Sequence, residues 1–307
     1  MRVAAIDLGT NTTRLLVADV VDSRVDQVVR RTKITRLGEG VDARRRLLPL
    51  PITRVRNVLS DYRRELESLG AERALLVATS AVRDAENGEA FLGEIEWSYG
   101  FSTRLLSGDE EAAMALRGVG GVDNGTVLVD IGGGSTELVG SAGRVSTELG
   151  SVRLTERFLQ SDPPTSDEFR SLAGAIRAVL SEHDFTAEHG IGVAGTVTSI
   201  AALDLGLVEY DSDRVHGHTL SASAVEEQLE RLASLPLAER REVPGLEPER
   251  APVIVAGAAI LLETMRYLGL DEIEVSERDI LDGAALEAAE LPEPVEGDAP
   301  PGAYTCC

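Results

Sequence analysis

Cysteine is all but missing: Cys306 and Cys307, the only two in the 307-residue chain, stand at its extreme end. That position excludes a disulfide framework, a buried cysteine nucleophile and a cysteine-rich zinc site. Lysine occurs once, as Lys33, outside any glycine-rich pattern ending in Gly-Lys-Ser/Thr, so a Walker-type phosphate loop is excluded as well. Lys33 lies in an arginine-rich stretch, an unpromising place for a Schiff base. The four histidines, His183, His189, His216 and His218, are too few and scattered for an obvious metal cluster. No run is long and apolar enough to cross a bilayer. The opening residues pass straight into a strand pattern without the apolar core of a signal peptide, so a cytoplasmic location is expected.

Chemistry therefore has to rest on carboxylates, hydroxyls, arginines and backbone amides. The net charge is −22, from 52 acidic against 30 basic residues. It argues against broad nucleic-acid or membrane-surface binding and leaves solubility as its ordinary meaning. An arginine-lined cleft helped by a divalent cation can still take a polyanion. At about 150 residues per domain, the length favours two domains.

Residues 3–8 and 14–21 read as two strands joined by Gly9-Thr10-Asn11-Thr12-Thr13, with another strand over 25–37. Continuation into a strand rather than a helix separates this turn from a dinucleotide-binding one. The spacing predicts a helix over 53–69, a buried strand at 74–78 leading through Thr79-Ser80 to a short helix with Arg83, and a helix from about 109 to 119. The opening pattern then returns: strand 127–131, turn Gly132-Gly133-Gly134-Ser135-Thr136, strand 137–140. Aligning Asp7 with Asp130 places Gly9 on Gly132, Thr12 on Ser135, Thr13 on Thr136 and Leu15 on Leu138. The register indicates an internal duplication, with two related halves, 1–123 and 124–290, facing a shared cleft. The second half continues with a helix at 166–182, a strand at 191–194, helices from 195, 222–234 and 251–268, and a strand at 272–276. A last helix at 279–290 could pack back on the first half. Residues 291–307, rich in proline, read as a disordered tail.

Both Asp-x-Gly turns suit phosphate. Glycines let backbone amides approach an anion, and Thr10, Thr12, Ser135 and Thr136 add hydroxyl donors. An aspartate beside phosphate makes most sense holding Mg²⁺ directly or through water. Gly195-Thr196-Val197-Thr198-Ser199 opens a helix whose free amides attract anions, although ordinary capping by Thr196 or Thr198 explains it equally well. Arg83 can neutralise phosphate with its guanidinium fork. In Ser107-Gly108-Asp109-Glu110-Glu111-Ala112, acids in a first helical turn already satisfy the helix dipole. Phosphoanhydride hydrolysis, however, needs a carboxylate within reach of an in-line water, and Glu110 or Glu111 could serve, with Glu137 ordering the same water or the metal. His216 and His218 could bond phosphate or simply sit in a surface loop. Arg44-Arg45-Arg46 could line a basic channel, or form a solvated loop.

Taken together, Ile6-to-Thr12, Ala78-to-Arg83, Ser107-to-Ala112, Val129-to-Glu137 and Ala194-to-Ser199 resemble the exopolyphosphatase and guanosine pentaphosphate phosphatase family, over nearly everything up to about residue 290. The resemblance implies an α/β, actin-like (ribonuclease H-like) duplicated two-domain fold with its active site in the interdomain cleft, of the short type that lacks a C-terminal helical domain. It implies Glu111 as catalytic base, and Asp130 and Glu137 at the metal-associated positions. Arg83, Asn11, Ser135 and Thr196 match phosphate-contacting positions. The expected site is therefore Glu111 and Glu137 for catalysis, Asp7, Asp130 and Glu137 for Mg²⁺ or Mn²⁺, and Gly9, Thr10, Asn11, Thr12, Arg83, Gly132, Gly133, Gly134, Ser135, Gly195 and Thr196 for phosphate. The expected reaction is Mg²⁺-dependent removal of the terminal phosphate of inorganic polyphosphate. Guanosine pentaphosphate, linked to the stringent response, is the alternative substrate, and a non-catalytic polyphosphate or guanosine tetraphosphate sensor is another reading. Retention of Glu111, Asp130 and Glu137 argues against the sensor, and against a sugar kinase of the same fold. A homodimer is common in the family. The chain departs from the family pattern at Asp279 and Leu281, where glycine and arginine are usual.

Overall fold

The computed structural model describes residues 1–141 and 143–292. The chain divides into two units, one holding Met1–Val119 and the segment from Ile280 onward, the other Gly120–Asp279. The stretch read as a tail lies, from residue 293, outside the described residues.

The first unit opens with β1 (Arg2–Leu8), β2 (Thr12–Val21) and β3 (Arg24–Ile34), followed by α1 (Val41–Arg44) and α2 (Pro49–Ser68). Then come β4 (Arg73–Ala78), α3 (Ser80–Arg83), α4 (Gly88–Tyr99), β5 (Ser102–Leu105) and α5 (Gly108–Val119). The second unit carries β6 (Thr126–Ile131), β7 (Thr136–Gly140), β8 (Gly143–Thr147), α6 (Ser151–Phe158), α7 (Ser166–Leu180), β9 (His189–Val193) and α8 (Ala194–Asp204). It continues through α9 (Ser212–Val215), β10 (Thr219–Ser221), α10 (Ala222–Ser234), α11 (Leu237–Arg240), α12 (Ile254–Leu268) and β11 (Glu272–Val275). The last helix, α13 (Ile280–Glu290), belongs to the first unit.

The sheet orders are β3-β2-β1-β4-β5 in the first unit and β10-β11-β9-β6-β7-β8 in the second. Read from β8, the second sheet repeats the first, with one extra edge strand. In each, an antiparallel hairpin is extended by parallel strands: β1 pairs antiparallel with β2 and parallel with β4, and β6 does the same with β7 and β9. This is the duplicated actin-like arrangement. The central strands are buried on both faces, which is why Val3–Leu8 and Val127–Ile131 read as continuous apolar runs interrupted only by an aspartate. The aspartates fall at matching register positions, Asp7 opposite Arg14 and Asp130 opposite Glu137.

Each unit has its own core, with Ile6, Leu8, Leu15, Leu59 and Phe101 in the first and Val129, Leu138, Ile176, Ile200 and Ile260 in the second. α12 is buried on nearly every side, as its unbroken Ile254-to-Leu262 run requires. In the first unit α13 packs on α5 with backbone approaching backbone: a Cβ at Gly283 would stand 2.0 Å from the Met114 carbonyl oxygen. Of the two departures noted in the sequence, Leu281 lies on α13 and is fully buried, and Asp279, the residue before the helix, is nearly so; Arg30 closes on the buried carboxylate of Asp282 at 2.6 Å.

Candidate active site

The first unit brings together the turn after β1, the end of α3 and the first turn of α5. Gly9 N–H donates to the Thr12 carbonyl, closing the turn at 2.9 Å. Behind it, Gly38 N–H donates to Thr10 O at 2.8 Å, and Thr35 and Arg36 N–H donate to Asn11 O at 3.0 and 2.8 Å. A trans peptide points its C=O and N–H in opposite directions, so tying these carbonyls back turns the amides of Asn11 and Thr12 to the other side. The Thr10 hydroxyl pairs with Ser80 Oγ at 2.8 Å. Asn11 is buried, and its Oδ1 has no hydrogen-bond partner among the described residues. An isolated buried amide of this kind is satisfied by a ligand donor, a hydrated cation or, with the amide turned over, a phosphate oxygen.

Spacing left Glu110 and Glu111 as equal candidates, and the side chains separate them. Glu110 closes a capping box: its Oε2 accepts from Ser107 N and Oγ at 2.9 and 2.8 Å, while Ser107 Oγ accepts from Glu110 N. Its Oε1 takes Arg104 Nη2 at 2.6 Å. The Ser107 amide, then Arg104, hold this carboxyl down at about 2, where it is a feeble base. Glu111 instead turns inward and is buried, 3.2 Å from Arg83 Nη1, which also donates to Leu106 O at 2.7 Å. Arg83 is thus a fixed cation beside Glu111, not a loose surface arginine.

In the second unit the same turn is held by the start of α6. Gly132 N–H donates to Ser135 O, and the carbonyls behind are tied in sequence: Gly132 O by Ser151 N at 3.0 Å, Gly133 O by Val152 N and Arg153 N at 2.8 and 3.2 Å, and Gly134 O by Arg153 Nε at 2.8 Å. By the same planarity, the amides of Gly133, Gly134 and Ser135 face away from α6, and none of the three donates to a protein acceptor among the described residues. Three convergent amides make a concavity suited to an anion. Gly150 has to be glycine, since a Cβ there would lie 2.3 Å from Gly133 O. Thr136, expected to offer its hydroxyl to phosphate, is fully buried and donates to Leu149 O instead, so it fastens the turn from behind.

Asp130 and Glu137 stand directly opposite each other on β6 and β7, both buried, so their side chains leave the same face of the sheet within reach of one another. Ser146, opposite Glu137 on β8, donates to its Oε1 at 2.6 Å. Two buried carboxylates side by side require positive charge, and hard oxygen donors suit Mg²⁺. Among the described residues no group of three acidic, histidine or cysteine side chains would enclose an ion. Asp7, expected to share in metal binding, accepts from both Arg14 Nε and Nη2 through Oδ2, at 2.9 and 2.7 Å.

Gly195 and Thr196 open α8, where Ala194 holds φ at +68°, a left-handed conformation that a non-glycine residue adopts at a cost. His216 Nδ1 accepts from Glu277 N, and His218 Nε2 pairs with Asp204 at 2.8 Å, so both have protein partners. Arg44, Arg45 and Arg46 are exposed. Sequence reasoning passed over Arg14, Ser146 and Arg153. For Arg14 the signal was present, since it occupies the position of Glu137 in the repeat.

A profile described as the Ppx/GppA phosphatase family matches residues 16–290. "Exopolyphosphatase 2" of Mycobacterium tuberculosis is 39% identical over 314 residues, covering 94% of this chain and 98% of the relative. The crystal structure of the Aquifex aeolicus member of the Ppx/GppA family is 31% identical and superposes with a TM-score of 0.79, covering 94% of this chain and 98% of that one. A structure called an exopolyphosphatase-like protein gives 0.88 at 32% identity, covering 94% and 99%. With both Asp-x-Gly turns, the buried Glu111 and these likenesses over nearly its whole described length, the chain belongs to the Ppx/GppA phosphatase family.

Proposed function

We propose that the protein is an exopolyphosphatase that hydrolyses the terminal phosphoanhydride of inorganic polyphosphate and releases orthophosphate. The observation that carries this reading is Glu111, a buried carboxylate held beside the Arg83 guanidinium while its neighbour Glu110 is consumed in capping. Glu111 takes the proton from a water whose oxygen bonds to the terminal phosphorus, and the bridging P–O bond breaks toward the shortened chain. Arg83, held beside Glu111 in the same unit, offsets charge on the phosphate oxygens. Asp130 and Glu137 would hold Mg²⁺, which supplies charge neutralisation at the phosphates. The same groups would cleave the terminal phosphate of guanosine pentaphosphate. The test measures phosphate release with Mg²⁺ from short polyphosphate, long polyphosphate and guanosine pentaphosphate side by side. Release from polyphosphate that disappears in Glu111→Gln supports the reading. Silence on all three substrates, with binding retained, refutes it in favour of a sensor.

A further inference from the structure

Three of the four residues in the turn Gly132–Ser135 are glycines, which leave six soft backbone torsions. Its orientation has to come from outside. Two of its carbonyls are secured by backbone amides at the start of α6, which no substitution alters directly. The third, Gly134 O, is secured by a side chain, Arg153 Nε at 2.8 Å. Arg153 is only 7% exposed, so its guanidinium approaches the turn from behind the protein wall. Its Nη1 lies 3.8 Å from Glu148 Oε2, which contributes to its charge balance.

We propose that Arg153 is a positioning residue for phosphate-ester and phosphoanhydride ligands: by fixing the Gly134 carbonyl it fixes the peptide that follows, and hence aims the Ser135 N–H at a phosphoryl oxygen. A trans peptide transmits the constraint without slack, because rotating the carbonyl away necessarily rotates the amide with it. The role assigned to Arg153 is exercised through its bond to Gly134 O. Its effect reaches the ligand through one peptide plane, in the way that outer residues orient the groups that do the binding. This role rests on the phosphatase reading above.

The test compares Arg153→Met, which fills the buried volume without a donor, with Arg153→Gln, which keeps a donor and loses the charge. For each, kcat and KM on tripolyphosphate are measured alongside thermal unfolding and orthophosphate affinity. Arg153→Met is expected to lower kcat/KM by about 10- to 100-fold, the usual range for residues that orient others, at an unfolding temperature that leaves the protein folded in the assay. Arg153→Gln is expected to recover most of that loss, and millimolar guanidinium ion to restore part of the activity of Arg153→Met. Full activity in Arg153→Met overturns the proposal. So does a loss that tracks the folded fraction and yields neither to the glutamine variant nor to guanidinium. Should Arg153→Met fail to fold, amide NMR of the wild-type protein decides: orthophosphate should shift the Ser135 amide together with those of Gly133 and Gly134, and an unmoved Ser135 amide refutes the aim assigned to it. Failure of the phosphatase reading looks different, since the wild-type protein itself would then release no phosphate.

Discussion

Replacing Glu110 and Glu111 one at a time should separate stability from rate. Glu110→Ala removes the reciprocal half of the capping box and the Arg104 contact. Loss of a cap costs about 1 kcal/mol. The Arg104 pair adds only a fraction of that, because both side chains are more than a third exposed and water screens them. For a unit of this size the total lowers Tm by about 2–4 °C. Phosphate release per folded molecule should be unchanged. Glu111→Gln keeps an oxygen for Arg83 and the same volume, so the fold should survive. What it loses is the proton acceptor, worth about 10²- to 10⁴-fold in kcat, or about 3–5 kcal/mol of barrier. The assay is phosphate release from tripolyphosphate with Mg²⁺, paired with a thermal melt of each variant. If Glu110→Ala cuts kcat as deeply as Glu111→Gln, or if Glu111→Gln retains more than about a tenth of the wild-type rate, the division of labour between the two carboxylates is wrong.

Gly283→Ala would put a methyl 2.0 Å from Met114 O, forcing α13 off α5; calorimetry should show a loss of about 1–3 kcal/mol, and a rate change should accompany it because α5 carries Glu111. Asp130→Asn removes one of two opposed carboxylates, and titration calorimetry with Mn²⁺ should show weakened binding together with a raised Mg²⁺ requirement; unchanged affinity would place the ion elsewhere. Thr165 and Glu168 form a second capping box at the start of α7, and acid should weaken both it and the Ser107–Glu110 box, since the carboxyls of Glu110 and Glu168 are each held down to about 2, first by the backbone amide of the capping residue. Their folded-state values lie below the unfolded 4.5, so their contribution is complete above that pH and is lost as the pH falls toward 2. Glu168→Gln should flatten that acid limb in pH-dependent melts. Ala194→Gly relieves a left-handed residue, so it should leave Tm unchanged or raise it, the gain of about 1 kcal/mol being partly offset by added freedom in the unfolded chain.

Much of the fold was legible because the repeat announces itself in residues that cannot vary freely. Asp7 and Asp130 close buried strands, and the glycines after them permit the turn, so an offset of 123 residues places both hairpins. What escaped were elements whose periodicity is blunted. α4 (Gly88–Tyr99) starts with a glycine and carries an exposed Trp97, and β5 has only four residues at a sheet edge. α6 is short and is preceded by Gly150, which serves close approach to Gly133 and leaves no periodic trace. At the site, spacing put two glutamates on one helical turn but could not say which faced inward. That depended on Ser107 capping the helix and on Arg104 drawing Glu110 outward. The bond from Arg153 to Gly134 left no signal, because a backbone carbonyl is something every residue possesses.

The matched positions on the two hairpins have a consequence for how duplicated proteins divide their work. A repeat gives evolution two copies of one cross-strand address, and here the copies were filled with opposite charge: arginine faces aspartate in one, glutamate faces aspartate in the other. In the first copy Arg14 answers the aspartate from the facing strand; in the second, two carboxylates share the address, and the balancing charge comes from outside those two positions. One ancestral motif thus yields a self-balanced strut in one place and, in the other, a pair whose charge is set by whatever its surroundings bring to it.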